Sequence, residues 1–379
     1  MSFDPDVLDD EGLLVRRDEG RLLWSLAGSG AHIRRAVNVG AETDFARLSS
    51  EDRPRAVLLV GDATCRPALR ILARLLLAGA PTIVWNGAEL PRWAGPADAL
   101  IAASLDGHQP RVASIVSDAG RRGLALCVLA PPDSPVAAVA GRAPVAHLDP
   151  EAHSRASLWA VLTPMLQAAD ALGVFSLADA RLDEIADGLD LVAETCRPTS
   201  PTFTNPAKGL ALDLAEATGL IVGAGPLAAV AARLVADGLR LVAGAPAISV
   251  SLPDGMPTAV ALLSARGAPD PDDFFRDRSE DTSPRPPRLV MIGDDGDPDD
   301  PSLGPQSGAQ FQLEERAARR AASDLHRLAA SVGARSSTVD VPTGAPLTRM
   351  AAAVSFGLFT ATYLALAQGI DPSGEEVRS

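Results

Sequence analysis

The 379-residue chain has three cysteines, one tyrosine and one lysine, and each scarcity removes a class of protein. Cys65, Cys127 and Cys196 lie far apart, with no C-x-x-C and no metal-ligand spacing. Neither a disulfide framework nor a zinc module is expected, and the odd count fits a reducing cytoplasm. The first residues, MSFDPDVLDDEG, are acidic and lack the basic start and apolar run of a secretory signal. Aromatics are only 4%, so the core must be built from Ala, Val, Leu and Ile. Lys208 is the one lysine among 34 basic residues, and the arginines are dispersed among 48 acids. The net charge of −14 leaves no basic stripe for a nucleic acid, so none is expected as partner. An anionic metabolite would need a site with its own local positive potential. There is no H-E-x-x-H, P-loop or Ser/His/Asp arrangement, so no catalytic set, metal ion or cofactor is expected. The closing apolar segment carries Arg349 and is broken by small and polar residues, so no membrane partner is expected either.

What the chain does have is alternation. Arg55-Ala-Val-Leu-Leu-Val-Gly61 is a short apolar run ending in glycine, the pattern of a buried parallel strand. Strands are also predicted at 81–85, 98–104, 124–129 and 144–148, with helices at 67–77, 112–122 and 154–172 between and after them. A helical pattern over 21–48 is interrupted at Gly28-Ser-Gly30. The second half repeats this logic: helices at 205–217, 226–239 and 311–333, strands at 219–223, 247–252, 288–293 and 337–341. A closing helix starts near Leu347 and must stop at Gly369 and Pro372. The fold class is therefore α/β, in two domains, 1–195 and 196–379, each a mostly parallel sheet flanked by helices. The stretch 267–310 is an acidic, flexible insert broken by a strand at 289–292. The spacing of Asp294, Asp295, Asp297, Asp299 and Asp300 within it is not that of a calcium loop.

Parallel strands present ligand sites at their carboxyl ends. Three ends stand out. Gly61-Asp62-Ala-Thr64 offers a tight turn and a hydroxyl. Ser104-Leu-Asp-Gly107-His108-Gln109 crowds polar groups into a strand-to-helix loop before Pro110, and is the best ligand-loop candidate. Gly223-Ala-Gly-Pro-Leu-Ala228 has dinucleotide spacing, but no acid ends the next strand, and Asp254 lies beyond Pro253. Close helix–sheet packing accounts for these glycines. Arg155 is placed at a helix start, where the dipole opposes it, which points to a carboxylate or phosphate contact.

In order, these pieces resemble the bifunctional phosphoglucose/phosphomannose isomerase family, built of two sugar-isomerase (SIS) domains, and within it the actinobacterial TobH-type branch. Val60-Gly-Asp-Ala-Thr64 falls at the family's glycine-rich turn, and Leu90-Pro-Arg-Trp93 resembles an L-P-x-W element. Ser104 and Gly107 match the S-Y-S-G-N-T phosphate loop, and Arg155-Ala156 a helix-start motif. Asn205-Pro-Ala-Lys208, Leu252-Pro253 and, most sharply, Tyr363-Leu-Ala-Leu366 with Gly369-Ile-Asp-Pro372 match the second domain. The resemblance implies two SIS-type domains, a homodimer, and proton transfer between C1 and C2 of an open-chain sugar phosphate.

The resemblance also implies a glutamate base where this chain has Arg240, and a guanidinium stays protonated. The ring-opening histidine falls near Pro257, and no histidine lies between His153 and His326. Asp62 and Asp106 stand in the phosphate-binding turns, where two carboxylates oppose a phosphate. The expectation is a non-catalytic, cytoplasmic protein that binds a sugar phosphate, nucleotide sugar or related carbohydrate derivative, and that regulates sugar-nucleotide metabolism. Its ligand would meet Gly61, Asp62, Thr64, Ser104, Gly107, His108, Gln109 and Arg155. The alternatives are an active isomerase with groups relocated to Glu194, Asp254, Glu314 or His108, and a homodimeric scaffold that docks a protein through 270–300.

Overall fold

A computed structural model describes residues 3–49, 52–149, 153–264, 287–293, 309–339 and 344–374. The acidic insert, apart from one strand, and the aspartates at 294–300 lie outside the described residues. The chain divides into two compact units: Ala27–Asp190, and Met1–Leu26 together with Leu191–Ser379.

Helices α1 (Glu11–Arg17) and α2 (Leu22–Ala27) come first, then α3 (Ser29–Glu42), β1 (Val57–Gly61), α4 (Arg66–Leu76), β2 (Thr82–Val84) and β3 (Ala99–Ala103). They are followed by α5 (Pro110–Arg122), β4 (Ala125–Ala130), α6 (Pro135–Ala138), β5 (Val145–His147), α7 (Leu158–Ala171), α8 (Leu177–Ala180) and α9 (Leu182–Thr195). The five strands form a parallel sheet in the order β2-β1-β3-β4-β5. Because side chains alternate across a strand, Leu58, Val60, Leu100, Ala102, Leu126 and Val128 share one face. They pack under Val112, Ile115 and Val116 of α5 and Val136 of α6. Helices α4 and α7 cover the other face. Pro110 opens α5, and Gly123, at φ 76°, closes it by donating to the Ala119 and Gly120 carbonyls.

The second unit continues with α10 (Pro206–Leu214), β6 (Thr218–Ala224), α11 (Pro226–Ala243), β7 (Ala247–Leu252) and α12 (Met256–Ser264). It ends with β8 (Pro287–Ile292), α13 (Ala309–Ser331), β9 (Ser336–Thr338) and α14 (Pro346–Ala367). Its parallel sheet runs β7-β6-β8-β9. Leu220, Val222, Leu289 and Met291 pack against α12 and α13. On the opposite face α11 lies on the strands and α14 lies on α11. By length and composition α14 could cross a bilayer, but 94% of its most apolar window is buried. Here it is a core helix of its unit. The two-sheet α/β fold expected from the alternation is the one observed.

Helices α1, α9 and α12 were not legible in the pattern. The first 26 residues, read as part of the first domain, instead group with the C-terminal half. The Asp4 amide donates to the Ala367 carbonyl at 2.9 Å, and Arg17 Nη1 donates to the Leu366 carbonyl at 2.7 Å. Both satisfy carbonyls in the last turn of α14, where a helix runs out of its own donors.

The sole lysine and the sole tyrosine meet in this unit. Lys208 Nζ donates to the carbonyls of Pro198 and Ser200 at 2.7 and 2.8 Å, with the Tyr363 ring 5.4 Å away. Tyr363 Oη donates to the Cys196 carbonyl at 2.5 Å. Asn205 caps α10 by accepting from the Ala207 and Lys208 amides. Lys208 and Tyr363 are both buried, so the 196–200 segment is held by side chains rather than by a ladder.

Burial raises the Tyr363 phenol well above its ordinary value. The folded state thus holds that proton more tightly than the unfolded chain does. Its contribution to stability is complete below the free phenol's value of about 10 and is lost as pH climbs from there. Since Tyr363 is the only tyrosine, tyrosinate absorbance reads this group alone. No tyrosinate signal should appear above pH ~10 until the chain unfolds, and Tyr363→Phe should cost about 1–2 kcal/mol in urea denaturation at neutral pH.

Candidate functional site

In a sheet ordered β2-β1-β3-β4-β5, the chain leaves β1 toward β2 through α4 and leaves β3 toward β4 through α5. The two helices cover opposite faces, so their starts splay apart beyond the carboxyl ends of β1 and β3, the place where doubly wound sheets set their ligand crevice. The two best sequence candidates, the turn after Gly61 and the loop after Ala103, fall at this switch point.

Asp62 joins them. Its Oδ1 accepts from the Cys65 amide at 2.9 Å and its Oδ2 from the Leu105 amide at 2.8 Å, and the residue is buried. The carboxylate thus lies between the start of α4 and the loop after β3. Buried Cys65 is pushed well above the ordinary thiol range by desolvation and by the Asp62 charge, which makes it a protonated packing residue. Thr64 is half-buried in the same turn.

The second loop is closed by its own side chains. Ser104 is fully buried; its Oγ donates to Asp106 Oδ1 at 3.0 Å and accepts from the Gly107 amide at 3.2 Å. Asp106 Oδ1 also accepts from the His108 amide at 2.9 Å. Gly107 has φ +69°, and a Cβ there would lie 2.3 Å from that of Ser134, so only glycine fits. Asp106, His108 and Gln109 are exposed at the crevice mouth. His108 Nδ1 lies 2.5 Å from the Asp106 carbonyl oxygen, which fixes the ring against the loop.

Sequence reasoning missed Arg111. From the first turn of α5 it donates to the Gly61 carbonyl at 2.6 Å and to those of Trp85 and Gly87 at 3.4 and 3.3 Å. It ties the ends of β1 and β2 to α5. The signal available was its position, two residues after the polar loop.

Arg155 follows a different strand. Helix α7 begins at Leu158, so Arg155 is in the preceding turn and the dipole argument for it does not apply. Its amide donates to His153 Nδ1 at 3.2 Å. It follows β5, two strands from β3 in the sheet.

In the second unit, Gly223 lets α11 approach the strand, since a Cβ there would lie 2.3 Å from the Ala228 carbonyl oxygen. A Glu315 carboxylate oxygen lies 2.5 Å from the place a Gly225 Cβ would occupy, where a pyrophosphate would have to approach. Arg240 bonds to Asp237 and to the Ala247 carbonyl at the start of β7. Pro257 is in the first turn of α12. Among the described residues, no group of three or more His, Cys, Asp or Glu side chains stands ready for a metal ion.

Two parallel sheets with helices on both faces make two SIS-like sheet-plus-helix units of the α/β class. Residues 203–377 match the family model described as the bacterial phospho-glucose isomerase C-terminal SIS domain. No curated protein matches the sequence. Among solved structures, a hypothetical protein from Thermus thermophilus is similar over 98% of this chain and 92% of its own, with TM-score 0.67 and 14% identity. Tagatose-6-phosphate ketose/aldose isomerase from Escherichia coli is similar over 93% of this chain and 94% of its own, with TM-score 0.60 and 12% identity. The C-terminal domain of glucosamine-fructose-6-phosphate aminotransferase from Francisella tularensis is similar over 92% and 96%, with TM-score 0.58 and 8% identity. At these identities the likeness is one of fold.

Removing the Asp62 carboxylate orphans two backbone donors in a buried place. Asp62→Ala should therefore destabilise the protein by about 2–4 kcal/mol in urea denaturation, and Asp62→Asn by less, because its amide oxygen still accepts.

Proposed function

We propose that the protein binds a carbohydrate derivative, without turnover, in the crevice between the Gly61–Thr64 turn and the Ser104–Gln109 loop. The observation that carries this reading is the joining of those two segments by Asp62 at the β1/β3 switch point. The exposed Asp106, His108 and Gln109 then stand together on the loop beside that switch point. Such a polar rim is suited to sugar hydroxyls. Arg155 would contribute only if the ligand reached beyond β4. We read the protein as a cytoplasmic homodimer of the two-SIS-domain, TobH-type branch, acting on sugar-nucleotide metabolism by reporting ligand level. Three free, buried cysteines fit a reducing compartment.

A second reading is aldose–ketose isomerisation of a phosphosugar. It is favoured by the family match over residues 203–377 and by the activities named for the similar structures. Glu194 pairs with Arg197 on an exposed surface, Asp254 is exposed in the turn after β7, and His108 is held against the Asp106 carbonyl.

Calorimetry with unphosphorylated sugars, amino sugars, sugar phosphates and nucleotide sugars tests the first reading. His108→Ala and Gln109→Ala, both at exposed positions, should weaken binding by about tenfold with unchanged stability. Absence of binding across the panel would sink it. Interconversion of fructose 6-phosphate with glucose or mannose 6-phosphate by the purified protein would establish the second reading instead.

A further inference from the structure

We propose that Asp62 and Asp106 are specificity-determining residues. They occupy, as built-in anions, the donors a phosphate would need, so the crevice selects a ligand presenting hydroxyl or ammonium donors. This rests on the carbohydrate-binding reading and deepens it.

A strand-end loop holds phosphate through backbone amides and hydroxyls that converge on empty space. Here the amides of Cys65 and Leu105 converge on Asp62, at 2.9 and 2.8 Å. The His108 amide and the Ser104 hydroxyl converge on one oxygen of Asp106, at 2.9 and 3.0 Å. The Gly107 amide donates to Ser104 Oγ at 3.2 Å. Arg111, in the first turn of α5, is likewise engaged, donating to the carbonyls of Gly61, Trp85 and Gly87. Each of these donors thus has an internal acceptor, and a phosphate would have to displace a carboxylate while facing its charge. The exposed Asp106 presents an acceptor outward. Ligands that donate hydrogen bonds are matched by it, and ligands that carry anionic oxygens are not.

The test follows backbone amide NMR signals of Leu105, Gly107 and His108 in the full chain during titration with inorganic phosphate, glucose 6-phosphate, glucose and glucosamine. The wild type should show no response to inorganic phosphate, and a response to unphosphorylated sugar that a 6-phosphate does not strengthen. Asp106→Ser, at an exposed position, removes one charge and frees two donors, and should tighten phosphate binding by about tenfold or more. Asp62→Gly added to it should tighten it further, with urea denaturation confirming that the variant is folded. Loop signals that shift with inorganic phosphate in the wild type would overturn the proposal, as would a folded Asp106→Ser protein with no gain. Wild-type silence toward every sugar, with phosphate binding gained in Asp106→Ser, would remove the carbohydrate reading while upholding the role assigned to the two carboxylates.

Discussion

The arrangement of the first unit turns on one buried carboxylate. A parallel sheet that reverses its winding must leave a gap where neighbouring strands send their chains apart, and backbone amides at that gap lack ladder partners. Asp62 satisfies two of them, one from each side. Removing their shared acceptor is costly, because both amides are out of water and have no other partner to turn to. The carboxylate therefore holds the loop after β3 to the turn after β1. The same contact that organises the crevice also decides which charges can enter it.

The second unit solves a related problem with the opposite charge. The segment between α9 and α10 has no strand to pair with, so its carbonyls need donors from side chains. Lys208 supplies two, and Tyr363 a third from α14. A buried ammonium is costly unless it is solvated by the protein, and here two carbonyls and an aromatic face do so. Burial pushes the Lys208 pKa down. Lys208 and Tyr363 thus act as one bracket, which gives the only residue of each kind a shared task.

How much of this was legible follows from which interactions are local. The strands and long helices were readable because apolar periodicity and glycine or proline punctuation are written along the chain. Val57–Val60 is an unbroken apolar run closed by Gly61, and Pro110 and Gly123 bracket α5. The start of α7 was not, because Ser154 and Arg155 carry no apolar signal that separates a turn from a helix. The grouping of residues 3–26 with α14 could not be read at all, since it rests on bonds from Asp4 to Ala367 and from Arg17 to Leu366, between opposite ends of the chain. At the site, the loop residues were visible as a polar cluster after an apolar run. The reach of Asp62 across 43 positions to the Leu105 amide was not. It depends on the register that sets Gly61 beside Ala103.

The residues that carry the isomerase resemblance separate by what they do here. Asn205 and Lys208 cap and bracket α10, and Tyr363 fastens α14 to the Cys196 carbonyl. All of these serve folding, and the domain would lose stability without them whatever its ligand. The departures concentrate where chemistry would be. A guanidinium stands at the position expected for the base and braces the α11–β7 connection through the Ala247 carbonyl. Proline stands near the position expected for the ring-opening histidine, in the first turn of α12. Carboxylates stand in both turns expected to hold phosphate. Conditions on folding and conditions on ligand chemistry thus act on different residues in this chain.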